Sequence, residues 1–210
     1  MFEIKGLKYR HILDIGHLVL DHPVSCIVGA SGSGKTTLLR HLNRLCVPDE
    51  GEIWYGGQAL SSLNPVELRR RVVMLGQTPV LGGGTVEDEL QLGLRCSQRL
   101  PASRQSLERV LEQVGLPKRP EDWCDKLSGG ERQRLCLGRV LLMDAETYLL
   151  DEPSAALDRE TESFLLDCLT AFVRERERSL VIVTHSEQVS GRFPGSVVRM
   201  DRGRAGGYAA

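Results

Sequence analysis

The sequence predicts an α/β fold with a mostly parallel core sheet, an antiparallel β flank and an inserted helical subdomain. Short apolar runs alternate with helical patterns along the chain, which is typical of strands joined by crossover helices. Five runs are apolar almost throughout, as expected for strands covered on both faces: residues 26–28, 72–75, 148–150, 180–183 and 197–200. Two further runs, residues 2–4 and 53–55, alternate polar and apolar side chains and predict half-exposed antiparallel strands.

Capping and breaking residues predict where the helices lie. Asn64 followed by Pro65 is typical of a helix start. Residues 103–114 follow a helical pattern that stops at Gly115. A third helix is expected from Asp158 to about residue 177, where apolar side chains recur at helical spacing on one face. Residues 86–143 carry helical patterns and no strand pattern, so we expect the inserted helical subdomain there.

Composition and charge exclude several classes of protein. The 210 residues include 27 Lys+Arg and 28 Asp+Glu, a net charge of −1, which argues against a nucleic-acid partner. The longest stretch without a charged side chain, residues 72–86, is shorter than the roughly 20 apolar residues of a membrane span. The first residues lack the basic and apolar segments of a secretory signal. Six cysteines without C-x-x-C spacing are expected to be reduced thiols of a cytoplasmic protein.

A phosphate-binding loop follows the apolar run that ends at Val28. Residues 29–36 match GxxxxGK[ST] between a predicted strand and a predicted helix, which is the context this motif requires. The backbone N–H groups of such a loop, together with the helix N-terminus, surround phosphate oxygens. Lys35 is predicted to reach the β- and γ-phosphates, and the Thr36 hydroxyl to ligate Mg²⁺. The predicted ATP-binding residues are Gly29, Ala30, Ser31, Gly32, Ser33, Gly34, Lys35, Thr36 and Thr37.

Two acids end another apolar run. Asp151 and Glu152 follow residues 148–150 directly, and neighbouring side chains at a strand end point in different directions. Asp151 is therefore predicted to hold the Mg²⁺ shell, while Glu152 faces the attacking water as a general base. The sequence predicts a nucleotide-hydrolysing site that uses ATP and Mg²⁺.

Residues 127–134, LSGGERQR, resemble the signature motif of the ATP-binding cassette (ABC) family, the ATPase subunits of ABC transporters. The resemblance extends over nearly the whole chain and implies further site residues. Ser128, Gly129 and Gly130 would bind ATP, Tyr9 would stack on adenine, and Gln77 would contact Mg²⁺ and link to the membrane partner. Asp158 closes residues 154–158, which resemble the loop that crosses the dimer interface, and His185 resembles the switch histidine at the γ-phosphate. Lys35, Gln77, Glu152 and His185 would form the catalytic set.

The resemblance also implies an arrangement of subunits. The chain would be a single ABC ATPase domain, residues 1–210, with a nucleotide-binding core and β flank (about 1–85 and 144–210) and a helical subdomain carrying the signature motif (about 86–143). It would form a homodimer with ATP at the interface. A separate transmembrane permease would hold it at the inner face of the cell membrane. Ten residues follow the last predicted strand, so no further domain is expected.

Some residues depart from the family pattern and leave an alternative open. Gly82, Gly83 and Gly84 stand where an aromatic residue often occurs, and Ser186 stands where an acid is frequent. Residues 77–88 weakly resemble the ATPase of a bacterial iron exporter. The alternative is a soluble ABC-type ATPase of an assembly machinery, for example for iron–sulfur clusters, with non-membrane partners. The sequence does not name the transported substrate, its direction, or the permease.

Overall fold

A computed structural model describes residues 1–155 and 157–208. The strands are β1 (Phe2–Tyr9), β2 (Leu13–Leu20), β3 (Val24–Val28), β4 (Glu50–Tyr55), β5 (Gln58–Ala59), β6 (Val72–Leu75), β7 (Thr147–Asp151), β8 (Ser179–Thr184), β9 (Val197–Asp201) and β10 (Arg204–Tyr208). The α-helices are α1 (Lys35–Leu42), α2 (Pro65–Arg71), α3 (Val86–Cys96), α4 (Arg104–Gln113), α5 (Gly129–Leu142), α6 (Arg159–Glu175) and α7 (Glu187–Gly191). Short 3₁₀ turns cover Leu60–Ser62 and Cys124–Lys126.

A six-stranded sheet forms the core, in the order β10-β9-β3-β8-β7-β6. All its pairings are parallel except β10 with β9, so the predicted mostly parallel core sheet is confirmed. Because the carboxyl ends of parallel strands meet at one edge, the loops after β3, β6, β7 and β8 come together there. This edge carries the candidate site.

A second, antiparallel sheet has the order β2-β1-β4-β5, which confirms the predicted β flank. The predicted strands at residues 2–4 and 53–55 extend to eight and six residues. Strand β2, which the sequence pattern did not predict, pairs with β1 in the register Phe2↔Leu20 and Leu7↔Ile15.

The core sheet is covered on both faces, which explains why its strands are apolar throughout. Ile27, Leu149 and Val181 point to the layer that holds β1, β2 and α1. Their neighbours Cys26, Leu150 and Ile182 point to the opposite layer, against α3–α6. All these side chains are at most 3% exposed. All six cysteines are free thiols, as predicted.

Helices α3, α4 and α5 lie between β6 and β7, in a stretch that contains no strand among residues 76–146, all of which the structure describes. Asn64 caps α2, as the sequence predicted, and Ser103 and Asp158 cap α4 and α6, since each side chain accepts backbone N–H bonds of the first turn. Phe164 departs from the expected buried face of α6, because it is 45% exposed and packs beside Gly115.

No α-helix within residues 1–155 and 157–208 has the length and apolar character needed to cross a bilayer.

The last strand was not predicted. The sequence pattern indicated no strand after the run 197–200, but Arg204–Tyr208 pairs antiparallel with β9. The turn between them lies between the two sheets: the N–H of Gly203 donates to the Ser33 carbonyl at 3.0 Å, and its carbonyl accepts from Asp14 N at 2.9 Å. A Cβ at Gly203 would lie 2.1 Å from the Ile12 carbonyl oxygen, so only glycine fits here. Its contacts with β2 and the phosphate loop are long-range, which local sequence patterns do not register.

Candidate functional site

A cavity of about 670 Å³ opens at the carboxyl edge of the core sheet. Its walls come from the turn after β1, the loop between β3 and α1, and the ends of β6, β7 and β8. The lining residues are Ile12, Ser31, Gly32, Gly34, Lys35, Thr36, Thr37, Gln77, Asp151, Glu152 and His185. Segments distant in sequence therefore converge on one cleft whose size suits a small ligand.

The loop between β3 and α1 is shaped for phosphate. Gly34 caps α1 at φ 99°, in the left-handed region that favours glycine. Gly29 is needed for packing, because a Cβ there would lie 2.2 Å from the Met200 carbonyl oxygen. The Lys35 ammonium donates to the carbonyls of Gly29 and Ala30 at 2.8 and 3.0 Å, so it lies at the mouth of the loop. Backbone donors, a helix N-terminus and a cation thus face one space.

Asp151 fits a role as a metal ligand. The residue is 1% exposed, and neither carboxylate oxygen forms a hydrogen bond of normal geometry within the described part of the chain. Burial raises the pKa of Asp151, opposed by the nearby Thr36 hydroxyl. Thr36 and Gln77 line the same cavity and add a hydroxyl and an amide oxygen. Oxygen donors of this kind suit Mg²⁺, which would satisfy the unpaired carboxylate.

Glu152 and His185 contact each other at the wall of the cavity. Nδ1 of His185 lies 2.8 Å from Oε2 of Glu152. The Glu152 backbone has φ 51°, a left-handed conformation that is uncommon for a residue with a side chain. Its N–H donates to the Val183 carbonyl at 2.9 Å, and its carbonyl accepts from Gln133 Nε2 at 3.4 Å. The carboxylate, with a side chain only 10% exposed, is placed to accept a proton in the cleft.

Several predicted residues lie outside this cavity. Gly29 and Ala30 line an adjoining cavity that His185 also borders, and Ser33 is buried beneath the loop. Tyr9 ends β1 with its ring edge-on to His41, and the Arg10 guanidinium lies over its face. Sequence reasoning missed Ile12, a 38% exposed apolar residue that lines the cavity close to the phosphate loop. An isolated apolar residue in a turn carries no chemical signal, so only the fold identifies it.

The signature residues Ser128, Gly129 and Gly130 are likewise outside the cavity, at the N-terminus of α5. Ser128 and Glu131 form a reciprocal capping box. The N–H of Ser128 and the ammonium of Lys118 lower the pKa of Glu131. Asp158 caps α6, and the N–H of Thr161 lowers the pKa of its carboxyl. Within the predicted interface loop, residue 156 lies outside the described residues.

Comparison with known proteins places these features in one family. Residues 21–155 match the family model described as ABC transporter. The methionine import ATP-binding protein MetN of Thermobifida fusca is 34% identical over 97% of this chain and 65% of its own length. Phosphonates import ATP-binding protein PhnC 2 of a Synechococcus strain is 36% identical over 86% of this chain and 72% of its own. The glutathione/L-cysteine transport system ATP-binding/permease protein CydC of Escherichia coli is 38% identical over 85% of this chain but only 31% of its own. The chain thus spans less than two thirds of several curated relatives.

Solved structures agree with the sequence comparison. A dimeric ATP-binding cassette in a post-hydrolysis state, bound to ADP and Pi, superposes with a TM-score of 0.84 at 26% identity, over 97% of this chain and 96% of that one. A bacterial Atm1-family ABC exporter with ATP bound superposes with a TM-score of 0.87 at 26% identity, over 98% of this chain and 38% of that one.

Proposed function

The chain belongs to the ABC transporter family and is an ABC-type ATPase, and we propose that it drives substrate translocation by a separate membrane permease. The observation that carries this proposal is the convergence of Lys35, Asp151, Glu152 and His185 on one cavity. The ADP and Pi bound by one of the superposed structures, the ATP bound by the other, and the transport named for the reported relatives support it.

The hydrolytic step assigns a task to each side chain. The loop of residues 29–36 holds the β- and γ-phosphates of ATP, and Lys35 balances their charge. Glu152 takes a proton from a water whose oxygen attacks the γ-phosphorus, as the bond from that phosphorus to the β–γ bridging oxygen breaks. His185, held by Glu152, contacts the γ-phosphate through its imidazole in this proposal. Thr36, Gln77 and Asp151 would hold Mg²⁺, which would neutralise charge on the phosphates. ADP and phosphate leave.

We propose further that two copies pair head to tail with ATP between them. Ser128, Gly129 and Gly130 lie outside the cavity of their own chain, at the exposed start of α5. A second copy would bring the Ser128 hydroxyl and the N–H groups of Gly129 and Gly130 to the γ-phosphate, where a helix N-terminus stabilises negative charge. The dimeric state of the ADP- and Pi-bound relative supports this arrangement.

The membrane partner and the location of the chain are part of the same proposal. The permease would be a separate polypeptide at the inner face of the cell membrane, contacted through the surface near Gln77. The transport named for MetN and PhnC 2 does not favour the assembly-machinery alternative. The weak iron-exporter resemblance of residues 77–88 stays a prediction about the substrate.

A pull-down tests the transporter proposal. Tagged Glu152→Gln protein, which is expected to keep the ATP-bound dimer closed, is recovered from detergent-solubilised cells with ATP and Mg²⁺. The expected result is co-elution of a polytopic membrane protein. Lys35→Ala protein, which is expected not to bind nucleotide, is the matched control for contacts that depend on the closed dimer. Recovery of soluble partners alone by both variants would overturn the proposal and favour the assembly-type ATPase.

A further inference from the structure

A single carboxylate joins the two loops that carry Glu152 and His185. Glu162, in the first turn of α6, accepts a hydrogen bond from the Ser154 hydroxyl on Oε1 at 2.5 Å. Its other oxygen, Oε2, accepts from the Ser186 hydroxyl at 3.3 Å. Ser154 follows Glu152 by two positions, and Ser186 follows His185 directly. Glu162 therefore binds both loops on the side away from the cavity, with one hydrogen bond to each carboxylate oxygen.

Glu162 acts at a distance from the cavity. The cavity lining among the described residues includes Glu152 and His185 but not Glu162, Ser154 or Ser186. The loops after β7 and β8 are thus connected twice: by the 2.8 Å contact between Glu152 and His185 at the cavity, and by Glu162 behind it. A residue in this position orients the reacting groups without touching substrate.

The loop after β7 adopts a conformation that needs support, and both loops are held by hydrogen bonds to Glu162. Glu152 has φ 51°, and such a backbone persists only where surrounding contacts hold it. Ser154, 6% exposed, accepts from Leu157 N on its carbonyl and donates its hydroxyl to Glu162. Ser186 caps α7 by accepting from Val189 N at 3.4 Å and donates to Glu162 with the same hydroxyl. Within the described residues, no ion pair neutralises Glu162 and competes for these bonds.

We propose that Glu162 is a positioning residue that fixes the Glu152–His185 pair, and that it requires a hydrogen-bond donor rather than an acid at position 186. This inference rests on the proposed ATP hydrolysis by Glu152 and His185. An acid at position 186 would place a second carboxylate against Glu162, and two carboxylates that share a site repel each other. The repulsion would part the two loops and rotate His185 away from Glu152.

Two substitutions at one position separate this role from helix capping. Asn and Asp both cap helices as well as serine does. Ser186→Asn keeps a cap and an N–H donor for Glu162, whereas Ser186→Asp keeps the cap and adds a like charge. Adding Glu162→Gln to Ser186→Asp removes that repulsion, because the amide donates to the new carboxylate and still accepts from Ser154.

The expected result is a selective loss of turnover. Ser186→Asp should lower kcat about tenfold or more, because small misplacements of reacting groups are costly, while KM for MgATP and the thermal unfolding midpoint stay close to wild type. Ser186→Asn should keep most of the wild-type kcat, and the Ser186→Asp/Glu162→Gln protein should recover it. Equal kcat values for the Asn and Asp variants, or no recovery in the double variant, would overturn the proposal.

A spectroscopic readout keeps this test separate from the proposed function. The imidazole NMR resonances of His185 report its hydrogen bond to Glu152 whether or not ATP is hydrolysed. Ser186→Asp should move them toward those of Glu152→Gln protein, and the double variant should restore them. If wild type does not hydrolyse ATP yet this pattern holds, the proposed function fails and the positioning role stands. If wild type hydrolyses ATP and the His185 resonances are unchanged in Ser186→Asp protein, the positioning role alone fails.

Discussion

Glu89 and Arg139 form an ion pair beneath the segment that follows Gln77, with Nη1 of Arg139 2.9 Å from Oε2 of Glu89. Oε1 of Glu89 accepts from the N–H groups of Gly82 and Gly83, and Nη2 of Arg139 donates to the Val80 carbonyl. The pair therefore fastens this segment to helices α3 and α5. Gly82 and Gly83, which depart from the family pattern, thus donate their backbone N–H groups to the carboxylate of Glu89, a residue that is 2% exposed.

Loss of the cation should destabilise the fold. Arg139→Ala leaves the Glu89 carboxylate buried without its counter-ion, and breaking a buried pair in this way costs about 3 kcal/mol of unfolding free energy. Urea denaturation at pH 7 measures the change. Arg104→Ala on α4, which removes the exposed ion pairs with Glu108 and Glu121, is the control and should change stability much less. Equal losses in the two variants would show that Glu89 is not stabilised by Arg139.

Removal of the proposed general base, Glu152, should separate ATP binding from ATP hydrolysis. Glu152→Gln should reduce ATP hydrolysis by about 10² to 10⁴, the usual contribution of a positioned base, while ATP still binds. Lys35→Ala should instead abolish nucleotide binding, because the cation at the mouth of the loop is gone. Steady-state phosphate release and fluorescence titration with an ATP analogue measure the two effects. Wild-type turnover in Glu152→Gln protein would assign the base to another residue.

Asp151→Asn should make the fold more stable and the enzyme less active. Burial raises the pKa of Asp151, so the folded state binds this proton more tightly than the unfolded state does. Its contribution to stability is therefore lost as pH rises above the ordinary carboxyl pKa of about 3.9. At pH 7 without Mg²⁺, the neutral amide should raise the unfolding free energy by about 1 kcal/mol. The variant should also require more Mg²⁺ for hydrolysis, which a metal titration of the rate measures. A less stable variant would contradict the unpaired burial of this carboxylate.

Stability should fall in mild acid because of His41. Its Nδ1–H donates to the Thr37 carbonyl at 2.7 Å, and burial lowers the pKa of this imidazole. The stability that neutral His41 contributes to the fold is complete above the unfolded-state pKa of about 6.5. It is lost as pH falls from there toward the lowered folded-state pKa. Unfolding free energy measured from pH 7.5 to 5.5 should therefore fall less steeply for His41→Gln than for wild type. Parallel pH profiles would show that His41 does not bind this proton on unfolding.

The parts of the site that local chemistry marks could be predicted from the sequence. The glycines and lysine of the phosphate loop and the acids after β7 carry their signal in consecutive residues, and the cavity brings Lys35, Asp151 and His185 together. Ile12, Glu162 and Glu89 could not be predicted, because each acts through partners far along the chain. The five parallel strands of the core sheet were predicted because their residues are apolar almost throughout, whereas β2 and β10 pair antiparallel at sheet edges and carry weaker patterns.

The turn at Gly203 connects the end of the described chain to the phosphate loop, although the two are far apart in sequence. It joins the Ser33 carbonyl in the phosphate loop to Asp14 in the flanking sheet, with the Ile12 carbonyl against its α-carbon. The final hairpin therefore sets the spacing between the turn after β1, which carries Ile12, and the phosphate loop on the other side of the cleft. Trimming or fusing the chain near Arg202 amounts to an alteration of the nucleotide site itself.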